Sequence, residues 1–600
     1  MVPLTKELTS LSPSTSREVG FATKDGIYQR MSLLYGSLAA FVMGANNMMP
    51  LVTSPGVNHW CAPPDGIQGS EEDWKNMSIP VDEDGTYSQC QMFNGSDNSS
   101  VVSCTEWLYE SSSHFGTIVE EWNLVCDRAW FVPATTVVYL LGSIVGFIIS
   151  GILSDSIGRK PVAMVSCIAV IVFCISIGNA TNIAFYIVLR FFVASAVSAL
   201  ALPLYVLLIE VVAVSNRGLY AIVMAGGYGA GTASVRVAQS LNLGWRLFQL
   251  MLMVPTTTLV LGFPWIQESP RWLISRWNLS KAEKVVLTIG RINGTKPEHT
   301  MELWRSIRLD LEKEEEKYSE MLRVELLSVL LAPSLRCANV ILFYSWFTVS
   351  LTYYGIHVYV VRNPSTTMLV TLLTFLPIAT LTYWGMEYLG RTRTLTCAMF
   401  LTAFSCSLDV FFRGDEGSAV PTVLTDALEL LGIGVAQSVV VLVIAEVNPT
   451  AVRTIAVCCG FVCSRSGMIC ATLAQHLWTL PSVGPPVLYG VCCLVAGILV
   501  TCVPETKAAR LPEAVKKFNM FEIAPLPLGR KSHRRIRAEE SSSRHSPVHM
   551  GRNSLKPVLS RLGEIYGSET TTLSSYGISD VVLDIRDIIQ KSSDTNRSAI

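Results

Sequence analysis

The chain has 600 residues, 50% of them hydrophobic, and only 16% are charged, against about 25% in an average soluble domain. Its formal net charge of −1 provides no basic excess for holding nucleic acid. Apolar runs recur from end to end at the length of about 20 residues that a bilayer core about 30 Å thick requires, so the composition excludes an ordinary soluble enzyme and points to an integral membrane protein.

The first 27 residues are Ser/Thr-rich and lack the apolar core of a signal peptide. Spans are expected near 31–52, 130–153, 161–178, 182–209, 219–241 and 247–266, then near 337–357, 367–388, 395–412, 421–445, 455–479 and 485–503. After the first span, segment 53–129 carries thirteen acidic and two basic residues. It also holds three N-x-S/T acceptors, Asn76, Asn94 and Asn98, which glycosylation would use in a luminal segment. Cys61, Cys90, Cys104 and Cys126 lie there too, and two disulfides are expected in that oxidising compartment, with three connectivities open. The other cysteines lie in or beside spans and read as small packing residues, not metal ligands.

Basic residues orient the chain. Arg159 and Lys160, Arg217, segment 267–336, Arg391 and Arg393, Arg453 and the tail from Lys507 all fall on one side, which the positive-inside rule makes cytoplasmic. Both termini are then inside. The expected organisation is a cytoplasmic segment 1–30, a six-helix unit 31–266 with its outer loop, a helix-prone cytoplasmic loop 267–336, a second six-helix unit 337–503 and a cytoplasmic tail 504–600. The charged run 309–317 reads as a solvated helix face. The tail beyond about Phe521 is Ser/Arg-rich and expected to be largely disordered. Its basic cluster from Arg530 to Arg537 suits anionic lipid headgroups. Its last residues, Ser598 to Ile600, resemble a ligand for a PDZ scaffold domain, which adds a peptide strand to a sheet edge.

A set of charged signatures occurs twice. Asp155, Gly158 and Arg159 return as Glu387, Gly390 and Arg391; Glu210 with Arg217 returns as Glu446 with Arg453; Glu268-Ser269 returns as Glu505-Thr506. The offsets are 232, 236 and 237 residues, the mark of a duplicated half. All copies sit at cytoplasmic ends of spans. Asp155, Gly158, Arg159, Glu210, Arg217, Glu268, Arg271, Glu387, Arg391, Glu446 and Arg453 are therefore expected to form an inner gate, with acids and bases pairing across the halves in one state and parting in the other.

These residues also carry a resemblance. Gly151 through Lys160 resembles the loop 2–3 signature of the major facilitator superfamily, and the chain is more narrowly similar to the organic cation/anion/carnitine transporters, solute carrier family 22. Glu121 to Cys126, Glu268-Ser-Pro-Arg271-Trp-Leu273, Trp346 to Gly355, Ala445 to Arg453 and Pro504 to Lys507 resemble that family's signatures, in order, over roughly residues 30–515. The resemblance implies an all-α integral membrane fold of twelve transmembrane helices in two six-helix bundles, a midplane cavity and alternating access. Two departures stand out. The outer loop has four cysteines where the family usually has six, and span 4 carries Ala194 to Ala199 where the family clusters glycines.

No nucleophile constellation, phosphate loop, cofactor motif or metal-ligand pattern is present, so no enzyme activity is expected. Selectivity should come from polar groups inside spans. Arg465 lies midway along span 11, where family anion and carnitine-type carriers tend to place an Arg and cation carriers an Asp. Its planar fork suits a carboxylate or sulfate. Arg236, in the outer half of span 5, either adds positive field to the outer cavity or snorkels to the outer surface. Tyr353 and Tyr354 match the family's span 7 aromatic pair and Tyr205 its span 4 aromatic, faces that would take apolar or cationic substrate parts. The Lys that family anion carriers often have in span 8 is replaced at Ile378 and Ala379, and their span 10 Lys is replaced near Glu429. A plasma-membrane carrier of a small organic anion or a carnitine-like zwitterion is expected. An organic cation carrier and a non-transporting receptor or scaffold of the same fold are the alternatives.

Overall fold

A computed structural model describes residues 25–507, apart from 55–56, 64–70, 82–85, 95–99, 111–115, 214–215, 242, 314–332, 360–363, 413–418, 449–452 and 478–483. Asn98, the end of the charged run 309–317, the basic cluster of the tail and the PDZ-like terminus lie outside the described residues.

Helix α1, Ile27–Met48, is prolonged by a single turn, α2, Pro50–Thr53. The outer loop follows as β1 His59–Cys61, α3 Glu71–Ser78, β2 Gln91–Phe93, β3 Val101–Ser103, β4 Trp107–Tyr109 and α4 Ile118–Trp122. β1 pairs antiparallel with β4, and β2 with β3. Among the described residues, the fully buried core under these strands is Trp60, Cys61, Ile79 and Cys104, with Trp74, Tyr87, Met92, Trp107 and Leu108 partly buried against it. So small a core needs covalent support, and Cys61 joins Cys104 while Cys90 joins Cys126, one of the three open pairings. Asn76 and Asn94 are exposed there.

The first half continues as α5 Phe131–Ile157, α6 Arg159–Gly178, α7 Ile183–Val211, α8 Arg217–Ser240, α9 Trp245–Met251 and α10 Met253–Gly262. Three helices follow in the connecting loop: α11 Pro270–Ser275, α12 Leu279–Ile292 and α13 Pro297–Lys313. The second half is α14 Pro333–Tyr359, α15 Pro364–Tyr388, α16 Arg391–Phe412, α17 Ala419–Val447, α18 Arg453–Leu477 and α19 Gly484–Val500. Helical segments thus stand at all twelve expected spans, with ends shifted by a few residues. The sixth departs in form: it breaks at Leu252 into α9 and α10.

Seven of the described helices are long and apolar enough to cross a membrane by themselves: α5, α6, α7, α15, α16, α17 and α18. Helices α1, α8 and α14 fall short because they bury polar groups among protein instead of facing lipid. Asn46 and Asn47 on α1, Arg217, Thr232 and Arg236 on α8, and Ser345, Thr348, Ser350 and Thr352 on α14 are all buried. The missing span 4 glycines are compensated on the partner helix. Gly142 and Gly146 of α5 lie against the carbonyls of Phe191 and Ser195 on α7, and Ser143 and Ser198 share a hydroxyl hydrogen bond of 2.5 Å.

Candidate functional site: an inner gate, a central cavity and an outer latch

The duplicated charges fold into two copies of one device. Gly158, at φ +112°, turns the chain from α5 into α6, a backbone region that glycine reaches without a Cβ penalty. The turn aims the free N–H groups of α6 at Glu268. Arg159 N donates to Glu268 Oε1 at 3.0 Å and Lys160 N to Oε2 at 3.1 Å, so the carboxylate caps a positive helix end. Burial pushes the Glu268 carboxyl above the usual carboxylate range, and hydrogen bonds from the N–H groups of Ser269, Lys160 and Arg159 oppose that rise. The second copy repeats the geometry. Gly390 has φ +101°, Arg391 N donates to Glu505 Oε1 at 2.6 Å, and Thr392 Oγ1 donates to Oε2 at 2.8 Å.

The buried Arg159 guanidinium lies 3.2 Å from both Asp155 Oδ1 and Glu210 Oε1. It also donates to Thr454 Oγ1, at the foot of α18 in the other half, at 3.4 Å. Arg391 pairs with Glu446 in the same way. Among the described residues, the close ion pairs at these helix ends are made within each half. The cause is the glycine turn, which delivers each Arg to the end of its own half's fourth helix. Arg217 is correspondingly not the ion-pair partner of Glu210. Across the halves the charges meet at longer range: Arg453 faces Glu210, and Arg217 faces Glu446. Arg453 itself donates to the carbonyls of Ala445 at 2.8 Å and Asn448 at 3.3 Å. Arg271 stands beside Arg217 and Arg453 as a like charge. Glu387 does not reproduce Asp155. Its side chain is 62% exposed and meets Lys507 at 3.6 Å.

Between the halves lies a cavity of about 120 Å³. Its wall is aromatic, with Tyr205, Tyr228, Trp346, Tyr353, Phe375 and Phe461, and no lining residue carries a formal charge. Gln437 and Ser438 of α17 add polar groups. Ile378 and Ala379 also line it, so the lysine absent from the sequence is absent from the cavity itself.

Of the five expected substrate contacts, the structure brings Tyr205 and Tyr353 to this wall; Tyr354, Arg465 and Arg236 lie outside it. Arg465 sits one helical turn beyond Phe461. Its guanidinium lies 5.5 Å from the Phe147 ring centre, and Phe147 stacks on Phe461 at 4.4 Å. The Asn47 amide is oriented by its hydrogen-bond network: its oxygen accepts from Arg465 Nη1 at 3.0 Å, Arg465 Nη2 at 3.3 Å and Tyr228 Oη at 3.1 Å, and its nitrogen donates to Tyr139 Oη at 3.0 Å. An arginine of the second half is thus tied to α1 of the first and reaches the cavity wall through Tyr228. Sequence reasoning missed Asn47, Tyr139, Phe147 and Tyr228. The Asn46-Asn47 pair inside an apolar span was the available signal.

Arg236 closes the outer end. Fully buried, it donates through Nη2 to the carbonyl of His357 on α14 and through Nη1 to Gln239 Oε1 at 3.3 Å. The His357 ring stacks on Tyr353 at 4.2 Å, which links this latch to the cavity wall. Ser240 Oγ meets Met368 Sδ of α15 at 3.1 Å. Contacts between the halves therefore stand on both sides of the cavity.

Comparison with known proteins agrees with this architecture. The family described as "Sugar (and other) transporter" matches residues 90–518. The chain is 26% identical over 546 residues to a β-alanine transporter of Drosophila melanogaster, covering 84% of this chain and 88% of that protein. It is 27% identical to solute carrier family 22 member 2 of Rattus norvegicus, covering 73% and 81%. Among solved structures, the proton:xylose symporter XylE bound to 6-bromo-6-deoxy-D-glucose aligns with a TM-score of 0.57 at 13% identity, covering 81% of this chain and 98% of that one. At that identity the likeness establishes the major facilitator fold and nothing finer.

Proposed function

Since the chain belongs to the sugar (and other) transporter family, as a major facilitator carrier of the solute carrier family 22 type and not an enzyme, we propose that it moves a small organic zwitterion or monovalent anion across the plasma membrane by alternating access. The observation that carries this reading is Arg465, a buried cation held by Asn47 beside an aromatic cavity. A substrate carboxylate would displace the neutral Asn47 oxygen from the guanidinium fork, because it brings a full negative charge and two oxygens that match the fork bidentately, where the amide offers one oxygen to both nitrogens. The aromatic faces would take the apolar or ammonium end. A volume of about 120 Å³ is small beside the roughly 300–1,000 Å³ of drug-sized pockets, which favours a substrate of amino-acid size. β-Alanine, for which the fruit-fly relative is named, is such a zwitterion. With Ile378 and Ala379 at the wall, a second fixed cation for a dianion is missing.

A wall that is aromatic and uncharged also favours a second reading, an organic cation carrier. Uptake of radiolabelled β-alanine, a monocarboxylate and a quaternary ammonium into cells expressing the protein separates the two. Saturable β-alanine or carboxylate uptake that Arg465→Ala abolishes is expected. Uptake of the ammonium alone, unaffected by Arg465→Ala, would overturn the proposal, and saturable accumulation of any of the three removes a purely receptor role.

A further inference from the structure

A second cavity, of about 390 Å³, lies away from the transport path, at the side of the first half where α5, α6, α11 and α12 meet. Lys160, Arg276, Lys281 and Lys284 line it, against a single acid, Glu268. That carboxylate is engaged by the N–H groups of Arg159, Lys160 and Ser269, and its single charge leaves a net excess of three cations at the site. Helix α12 begins at the rim, where the Asn278 side chain accepts from Lys281 N, and its positive end adds to the field. The lysines are held on a built scaffold: the opposite face of α12 packs Ala282 and Val286 with Leu273, Trp304 and Ile307.

The remaining wall is apolar, and one part of it leads outward. Ile157 lines the cavity and is itself exposed, and above it on the same helix Ile149, Ile152 and Leu153 are exposed large hydrophobics, as a lipid-facing surface requires. A site with exposed cations around its edge that opens onto a lipid-facing strip fits a ligand with an anionic head and an apolar body. Soluble anions would use the first feature and leave the second unexplained.

We propose that this cavity binds the phosphorylated headgroup of an acidic phospholipid, with its acyl chains along α5. The placement in the inner leaflet rests on the cytoplasmic orientation of the basic helix ends, but the binding itself does not depend on what is transported. The cavity shares walls with the gate, since Trp272 Nε1 donates to the Asp155 carbonyl at 3.1 Å and Arg276 donates to the same oxygen. An occupied site therefore braces the turn that positions Arg159.

The test is direct binding to the purified full-length protein, with Arg530, Lys531, Arg534, Arg535 and Arg537 changed to Ala so that the tail does not contribute. Short-chain phosphatidylinositol 4,5-bisphosphate, short-chain phosphatidylcholine and soluble inositol trisphosphate are compared by native mass spectrometry and thermophoresis. The bisphosphate lipid should bind, phosphatidylcholine should not, and inositol trisphosphate should bind at least about tenfold more weakly than the lipid. Lys281→Glu with Lys284→Glu should weaken lipid binding at least about tenfold. Should that pair lower the yield, Lys281→Gln with Lys284→Gln should weaken it in the same direction. Unchanged lipid binding in the lysine variants, equal binding of phosphatidylcholine, or inositol trisphosphate binding as tightly as the lipid would each overturn the proposal. Because the readout is binding, the outcome is the same whichever solute the protein transports.

Discussion

At the scale of single residues, position matters more than charge type. Arg465 acts through its fork, which grips one oxygen of Asn47 with two nitrogens. Arg465→Lys keeps the charge and loses that geometry. Its KM for a carboxylate substrate should rise about tenfold or more, as expected from losing a charge-assisted hydrogen bond worth roughly 1.5–3 kcal/mol, and concentration-dependent uptake measures it. The gate depends on residues with no charge at all. A Cβ at Gly158 or Gly390 would be forced into φ above +100° and into the capping carboxylate of Glu268 or Glu505. Gly158→Ala and Gly390→Ala should each cost about 1–3 kcal/mol and lower the melting temperature of the detergent-purified protein. The two losses should be similar in size, because the two turns are copies. A large loss from one and none from the other would show that the repeat is not functionally symmetric.

At the scale of elements, helix contacts rely on glycines that let backbones touch. Gly227 and Gly231 of α8 sit against the carbonyls of Ser37 and Phe41 on α1. Gly231→Val should separate the pair, cost about 1–3 kcal/mol by overpacking and reduce the folded protein reaching the cell surface, as surface biotinylation reports. Spans were legible in the sequence because an apolar run announces itself without tertiary information. The charged signatures were legible as a repeat, because each is a short motif written twice, but the role of Glu268 was not: it caps α6 from 109 residues away, where an ion pair across the halves was expected. Other features needed packing. The break at Leu252 is the exception, since Pro255 lacks the N–H that would bond the Met251 carbonyl and so announces it locally. The pairing of Cys61 with Cys104 depends on how β1 meets β4. Arg236 read as a cavity cation because its acceptor, the His357 carbonyl, is a backbone atom 121 residues away. Arg465 was singled out from its own helix, but its partner Asn47 comes from the opposite half, and only assembly brings them together.

At the scale of the whole molecule, contacts between the halves stand on both sides of the cavity. Alternating access requires one set to part while the other holds. The inner set combines the Arg159–Thr454 bond with the facing charges Arg453 and Glu210; the outer set is Arg236 on the His357 carbonyl and Ser240 on Met368. Removing Arg236 deletes the hydrogen bond that a buried cation makes to the His357 carbonyl, and such bonds are worth roughly 1.5–3 kcal/mol. Moving a two-state equilibrium from 1:99 to 99:1 takes about 5.5 kcal/mol, so Arg236→Ala should shift the population part of the way toward an outward-open form. The Ser240–Met368 contact, at 3.1 Å, offers the means to see this. In the double variant Ser240→Cys with Met368→Cys, a short bis-methanethiosulfonate crosslinker added outside should join the outer ends of α8 and α15, stop uptake, and allow recovery with a reductant. Adding Arg236→Ala should slow the crosslink, because the two ends then spend less time together. If the crosslink formed fully and uptake continued, the outer ends would not part during transport, and the latch would be a fixed structural contact.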